Sequence, residues 1–170
     1  MNRTLLTSFC IPHLDVVLDE IFAVPPAGRY GAPPPPTSVE ALALRCGLEA
    51  AEVTAKLTRI AQMSQGIEIQ PEALASRLPA SSGLILLDVR EPWEFEIAHL
   101  PGSILLAAVD FPTLLPQLLA ADSVVTICHH GVRSYSAAMW LRERGIHQAV
   151  SLAGGVEAWA QRIDASLPRY

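Results

Sequence analysis

Residues 123–146, SVVTICHHGVRSYSAAMWLRERGI, hold the pattern on which the fold turns. An apolar run reaches Cys128. A short loop then carries His129, His130, Gly131, Val132 and Arg133, and a helical pattern starts near Ser134. The run is apolar at nearly every position rather than every second one, which predicts a strand buried on both faces. The helical pattern closes with Arg142 and Arg144 in its last turn, Gly145 just beyond and Ile146 able to fold back. A strand feeding a helix through a short loop is half of a βαβ unit.

The same alternation extends in both directions. Upstream lie IEI (67–69), PEALASRLPA opened by Pro71, GLILLDV bounded by Gly83, PWEFEIAHL opened by Pro92, SILLA, and DFPTLLPQLLA. Downstream lie QAVSL and GVEAWAQRI. Apolar strands alternating with helices predict an α/β fold over residues 67–170, a parallel sheet flanked by helices.

Residues 1–66 read differently. A short amphipathic stretch, PHLDVVLDEIF, is followed by VPPAGRYGAPPPPTS, which holds six of the fourteen prolines and predicts an extended linker over about residues 25–37. Leu42, Leu44, Leu48, Val53, Leu57 and Ile60 then give helical spacing broken at Gly47, the pattern of two short helices around a turn. Arg45, Lys56 and Arg59 balance Glu40, Glu49 and Glu52, so the hairpin lacks the basic face of a DNA reader. It is expected to be a small helical extension that packs or dimerises.

Composition narrows the function classes. The chain has 170 residues, 51% hydrophobic and 17% charged, with a net charge of -5. That balance offers no electrostatic footprint for nucleic acid or an anionic membrane. No long apolar segment predicts a signal peptide or membrane span, so the cytoplasm is the expectation. Cys10, Cys46 and Cys128 show no CxxC spacing, which argues against a disulfide framework.

In an open parallel sheet, ligands bind beyond the carboxyl ends of the strands. LILLDVRE delivers Asp88, Arg90 and Glu91 to that edge, and VVTICHHGVRS delivers Cys128 and its loop. Gly131 permits a positive φ, so the loop is able to curl and turn N–H groups toward its first side chain. The helix beginning near Ser134 adds unpaired N–H groups and positive potential, together a place for an anion such as a thiolate or what it becomes. Cys128 alone would read as a small buried hydrophobe; the Gly-x-Arg and the helix start favour a nucleophile. A zinc site is disfavoured, because the adjacent Cys128, His129 and His130 do not converge and no second ligand pair exists. His129 and His130 read as polar lining. Asp88 and Arg90 are expected either to pair internally or to position substrate, and Trp93, Trp140 and Trp159 to pack in or beside the core.

These motifs together resemble the rhodanese family of sulfurtransferases. The resemblance covers about residues 67–167 and rests on LLDVREPWEFEIAHLPGSILL, CHHGVRS and SLAGGVEAW, in that order. Ala98 and Ser103 depart slightly from the family pattern around HLPG. The resemblance implies a rhodanese-like domain at 67–170, Cys128 as the catalytic cysteine, an anion cradle over His129, His130, Gly131, Val132, Arg133 and Ser134, and a supporting Asp88 and Arg90. It implies transfer of a sulfane sulfur from a donor such as thiosulfate to a thiophilic acceptor through a Cys128 persulfide, with no metal or organic cofactor. The partners implied are a small anionic donor and a sulfur-acceptor or carrier protein; a homodimer through the N-terminal helices is a further expectation. Four residues separate Cys128 from Arg133, whereas phosphatases and arsenate reductases of this fold resemble Cx5R. A non-catalytic sulfur-sensing or partner-docking module is the main alternative, and a Cys-dependent phosphatase or arsenate reductase a weaker one.

Overall fold

A computed structural model describes residues 4–24, 33–78 and 83–170. The chain forms two compact units, Met1–Gln65 and Gly66–Tyr170. Eight α-helices lie among the described residues, and none is long and apolar enough to cross a membrane.

The first unit holds α1 (Leu14–Phe22), α2 (Val39–Cys46) and α3 (Ala50–Met63), preceded by a 3-10 turn at Leu6–Phe9. Ser38 caps α2 by accepting the Ala41 N–H at 3.3 Å, the side-chain bond that such a residue supplies to an orphan amide. Val39, Leu42, Val53, Leu57 and Ile60 are buried. Leu44 is not: it is 86% exposed, because two residues after Leu42 a helix has turned its side chain away from the buried face. Of the proline-rich stretch, residues 25–32 lie outside the described part. Pro33 to Pro36 carry no regular element. The stretch ends pinned: Leu6 N–H donates to Thr37 O at 3.0 Å and Val39 N–H to Thr4 O at 3.0 Å. Its end is therefore held inside this unit.

The second unit is one five-stranded parallel sheet with the order β1-β5-β4-β2-β3. Its strands are β1 (Glu68–Ile69), β2 (Leu84–Asp88), β3 (Ile104–Leu105), β4 (Ser123–Ile127) and β5 (Ala149–Leu152). Between them run α4 (Pro71–Arg77), α5 (Pro92–Ile97), α6 (Phe111–Ala120) and α7 (Val132–Glu143), and α8 (Gly155–Arg162) follows β5. The SILLA segment pairs over only two residues before a 3-10 turn at Leu106–Ala108 takes over. Val124, Val125, Thr126 and Ile127 of β4 are 0% exposed, as a central parallel strand covered on both faces requires. Leu86, Val125, Ile127, Leu152, Val156 and Trp159 join Ile69, Leu74 and Leu100 in the core. Each such side chain removed from water contributes about 1.5–3 kcal/mol against the entropy of ordering.

Register fixes what emerges where. Asp88 lies opposite Ile127, and Thr126 opposite Ser151. The chain leaves β2 toward β3 on one side and resumes at β4 on the other, so β2 and β4 flank the point where the strand order reverses. Crevices at such a point are where open α/β sheets bind ligands. Cys128 follows β4 there, and Arg90 follows β2.

Candidate functional site

Cys128 is 1% exposed, at the floor of the loop. The loop closes within three residues: the Gly131 N–H donates to Cys128 Sγ at 3.1 Å. Gly131 has φ 94° and is the residue before α7, a backbone state open to glycine without steric cost. Its sharp turn lets the helix start at Val132, two residues earlier than the sequence pattern suggests. Arg133 and Ser134 thus belong to the first helical turn, and the positive end of α7 adjoins the sulfur.

Ser134 is buried with its Oγ 3.3 Å from Cys128 Sγ. Behind it stands Ser151, also buried, whose Oγ is 2.7 Å from Ser134 Oγ. Both hydroxyls also reach Gly131 O, at 3.1 and 3.3 Å. Each hydroxyl is both donor and acceptor. The pair can therefore accept from a thiol or donate to a thiolate without leaving a buried polar atom unsatisfied.

The loop is also held from outside. Val156 N–H donates to Cys128 O at 2.9 Å and Glu157 N–H to His129 O at 3.1 Å. These are orphan amides of the first turn of α8, so one helix end and one loop satisfy each other. The close approach requires Gly155: it has φ 61°, and a Cβ there would overlap Cys128 O and His129 O. The carbonyls of Cys128 and His129 thus face α8, while the Gly131 N–H faces the sulfur.

The charged residues form closed pairs. Asp88 and Arg90 are 0% and 2% exposed. Arg90 donates to both Asp88 oxygens, to Ala98 O at 2.6 Å, to Glu94 O at 3.3 Å and to Tyr170 OH at 2.7 Å. Of the two roles open to them, internal pairing is the one the geometry displays. Arg133, half exposed, makes two parallel bonds to Glu94, at 2.7 and 2.6 Å. Glu94 is buried, accepts the Glu91 N–H at 3.0 Å and the Tyr170 hydroxyl at 3.2 Å. The Arg133 guanidinium outweighs burial and lowers the Glu94 carboxyl to about 2. In return, the hydrogen bond to Glu94 holds Arg133 above its usual range.

His129 and His130 stack at 4.0 Å, and His129 lies 4.3 Å from the ring of Tyr170, which meets Trp93 edge-on at 6.0 Å. Burial, then the neighbouring His130, lowers the His129 pKa. Trp93 differs from its expected place in the packing, being 58% exposed, while Trp159 is in the core at 5%. Trp140 sits at an edge, against Phe111 and under Arg144.

A family model of the rhodanese-like domain matches residues 70–162. The chain belongs to the rhodanese-like family. A sulfurtransferase of Allochromatium vinosum is 32% identical over 94 residues, covering 55% of this chain and 88% of that protein. A probable adenylyltransferase/sulfurtransferase, MoeZ, of Mycobacterium tuberculosis is 33% identical over 112 residues, 65% of this chain but 29% of that protein. This chain thus spans less than a third of the length of that relative. Among solved structures, a thiosulfate sulfurtransferase from Pseudomonas aeruginosa superposes with a TM-score of 0.50 at 25% identity, over 59% of this chain and 18% of that one.

Within this rhodanese-like domain the structure brings Cys128, Gly131 and Ser134 into direct contact, sets Arg133 on the flank, and buries Asp88 and Arg90 behind it. His129 is half buried; His130 and Val132 are exposed. Three residues of the site were not singled out from sequence: Glu94, Ser151 and Tyr170. Glu94 left a signal, since Glu91 and Glu94 frame Pro92 in the spacing of a capping box. Ser151 left a fainter one, a hydroxyl in an otherwise apolar strand. Tyr170 left none.

Proposed function

We propose that the protein is a sulfurtransferase that carries a sulfane sulfur on Cys128, with thiosulfate as the simplest test donor. The observation that carries this reading is the bond from the Gly131 N–H to Cys128 Sγ inside a Cx4R loop at a strand-helix junction. The ring is small. It suits one sulfur seated on the cysteine better than a tetrahedral phosphoryl group.

In the first half-reaction, the Cys128 thiolate attacks the outer sulfur of the donor. The Sγ–S bond forms, the donor's S–S bond breaks, and its electron pair leaves with the donor remnant. Loop amides and the end of α7 stabilise the anionic outer sulfur, as an oxyanion hole stabilises oxygen. In the second, a thiophilic acceptor takes that sulfur and the electron pair returns to Sγ. Ser134, backed by Ser151, donates to Sγ when it is a thiolate and accepts from it when it is a thiol. Two half-reactions on one nucleophile predict ping-pong kinetics. A sulfur-acceptor or carrier protein is the proposed second substrate.

Intact mass after incubation with thiosulfate or an organic persulfide tests the reading. Wild type is expected to gain one sulfur and Cys128→Ser none. Gain by the variant, or none by wild type from either donor, overturns it.

A further inference from the structure

Every cation that the second unit places beside the Cys128 loop already holds a carboxylate. Arg90 is enclosed with Asp88 and has no route to solvent. Arg133 spends both terminal nitrogens on Glu94. Arg169 donates to Glu157, the residue whose N–H clamps His129 O. Three guanidinium groups thus face three carboxylates, while Glu91 and Glu96 stand exposed nearby in sequence. What remains beside the loop to hold an anion is the Gly131 N–H and the end of α7.

Alongside the loop runs a row of rings, Trp93, Tyr170, His129 and His130, each in contact with the next. Trp93 is 58% and Tyr170 39% exposed, and Val132 joins them at 39%. Such a border offers contact to an organic group and little to a hydrated inorganic ion.

We propose that Glu94 is a specificity-determining residue: by holding Arg133 in a two-bond ion pair it withholds positive charge from the Cys128 loop, and so selects a persulfide carried on an organic thiol over a small inorganic dianion such as thiosulfate. This deepens, and rests on, the sulfur-transfer reading above. The balanced step is Cys–S⁻ + R–S–S⁻ → Cys–S–S⁻ + R–S⁻. The Sγ–S bond forms, the R–S–S bond breaks, and the electron pair leaves on the thiolate R–S⁻. The reactants together carry two negative charges. Thiosulfate raises this to three, and among the described residues beside the loop no unpaired guanidinium offsets the added charge. A site discriminates as much by withholding a partner for the wrong substrate as by supplying one for the right substrate.

The test compares donor KM values for thiosulfate and for benzyl persulfide, whose organic group is uncharged. Wild type is expected to show a KM at least tenfold higher for thiosulfate. Glu94→Gln keeps the shape and releases Arg133. Its KM for thiosulfate is expected to fall at least tenfold relative to its KM for benzyl persulfide, and to become steeply salt-dependent. The double variant Glu94→Gln/Arg133→Leu is expected to lose the gain, which a mere loosening of α5 would not do. Equal KM changes for both donors in Glu94→Gln, or a wild-type preference for thiosulfate, overturn the assignment of Glu94 while leaving sulfur transfer intact. If Cys128 gains sulfur from neither donor by intact mass, the sulfur-transfer reading itself falls.

Discussion

Gly155→Ala is the sharpest probe of how the loop is built. Three costs follow from the geometry. A non-glycine residue at φ 61° is in the left-handed region, which costs about 1–2 kcal/mol. The new Cβ overlaps two backbone oxygens, Cys128 O and His129 O, and backbone cannot swing aside as a flexible side chain does. Relief requires α8 to back away, which breaks the bonds from Val156 N–H and Glu157 N–H to those oxygens, at about 1 kcal/mol each. The sum is on the order of 3–4 kcal/mol. Gly102→Ala is the control: φ is 79° there but nothing lies within 4 Å of the added Cβ, so only the backbone cost of about 1–2 kcal/mol applies. All three tryptophans, Trp93, Trp140 and Trp159, lie in the second unit. Urea unfolding followed by tryptophan fluorescence therefore reports that unit alone. The expected result is a loss in Gly155→Ala at least about 2 kcal/mol larger than in Gly102→Ala, with sulfur loading of Cys128 slowed at least tenfold in the first and unchanged in the second. If the two variants lose equal stability, the clamp between α8 and the loop does not hold the cradle.

Three further outcomes are expected. Glu94 is lowered from 4.5 to about 2, so its contribution is fully present above pH 4.5 and lost as pH falls through about 2; since Arg133 is half exposed, it is about 1–3 kcal/mol, and acid titration of stability should be correspondingly flatter in Glu94→Gln. Asp88→Asn leaves the Arg90 charge buried without its carboxylate, and urea unfolding should show a loss of roughly 3–5 kcal/mol; a loss under about 1 kcal/mol would contradict the enclosed pair. The His129 imidazole, lowered by burial and by His130, should titrate below 6.5 in an NMR pH series, and replacing His130 with Asn should raise its midpoint.

The fold was legible because its signals are local. Apolar runs such as SVVTI, proline at the first turns of α4 and α5, and the Arg142-to-Ile146 helix end each follow from a few neighbouring residues. The end of α7 closes as read, with Gly145 N–H on Arg142 O and Ile146 N–H on Leu141 O, at 3.1 Å each. The loop from Cys128 to Arg133 was legible for the same reason. What stayed hidden is what the sheet brings together from afar. Arg133 reads in sequence as a free cation awaiting an anion, and only tertiary structure supplies Glu94, 39 residues away. Leu44 failed in the opposite sense: its apolar character fits a helix, yet side-chain direction and not residue type decides burial.

The clamp of α8 on the loop and the Arg133–Glu94 pair tie together segments that only a completed sheet makes neighbours. Residues 128–134 synthesised alone have no such restraint. A chain in which α8 has not docked lacks the clamp that Val156 and Glu157 place on the loop carbonyls. The accessibility of Cys128, 1% exposed in the folded unit, to a bulky alkylating reagent then reports whether that enclosure has formed, read at the same atom proposed to carry the sulfur.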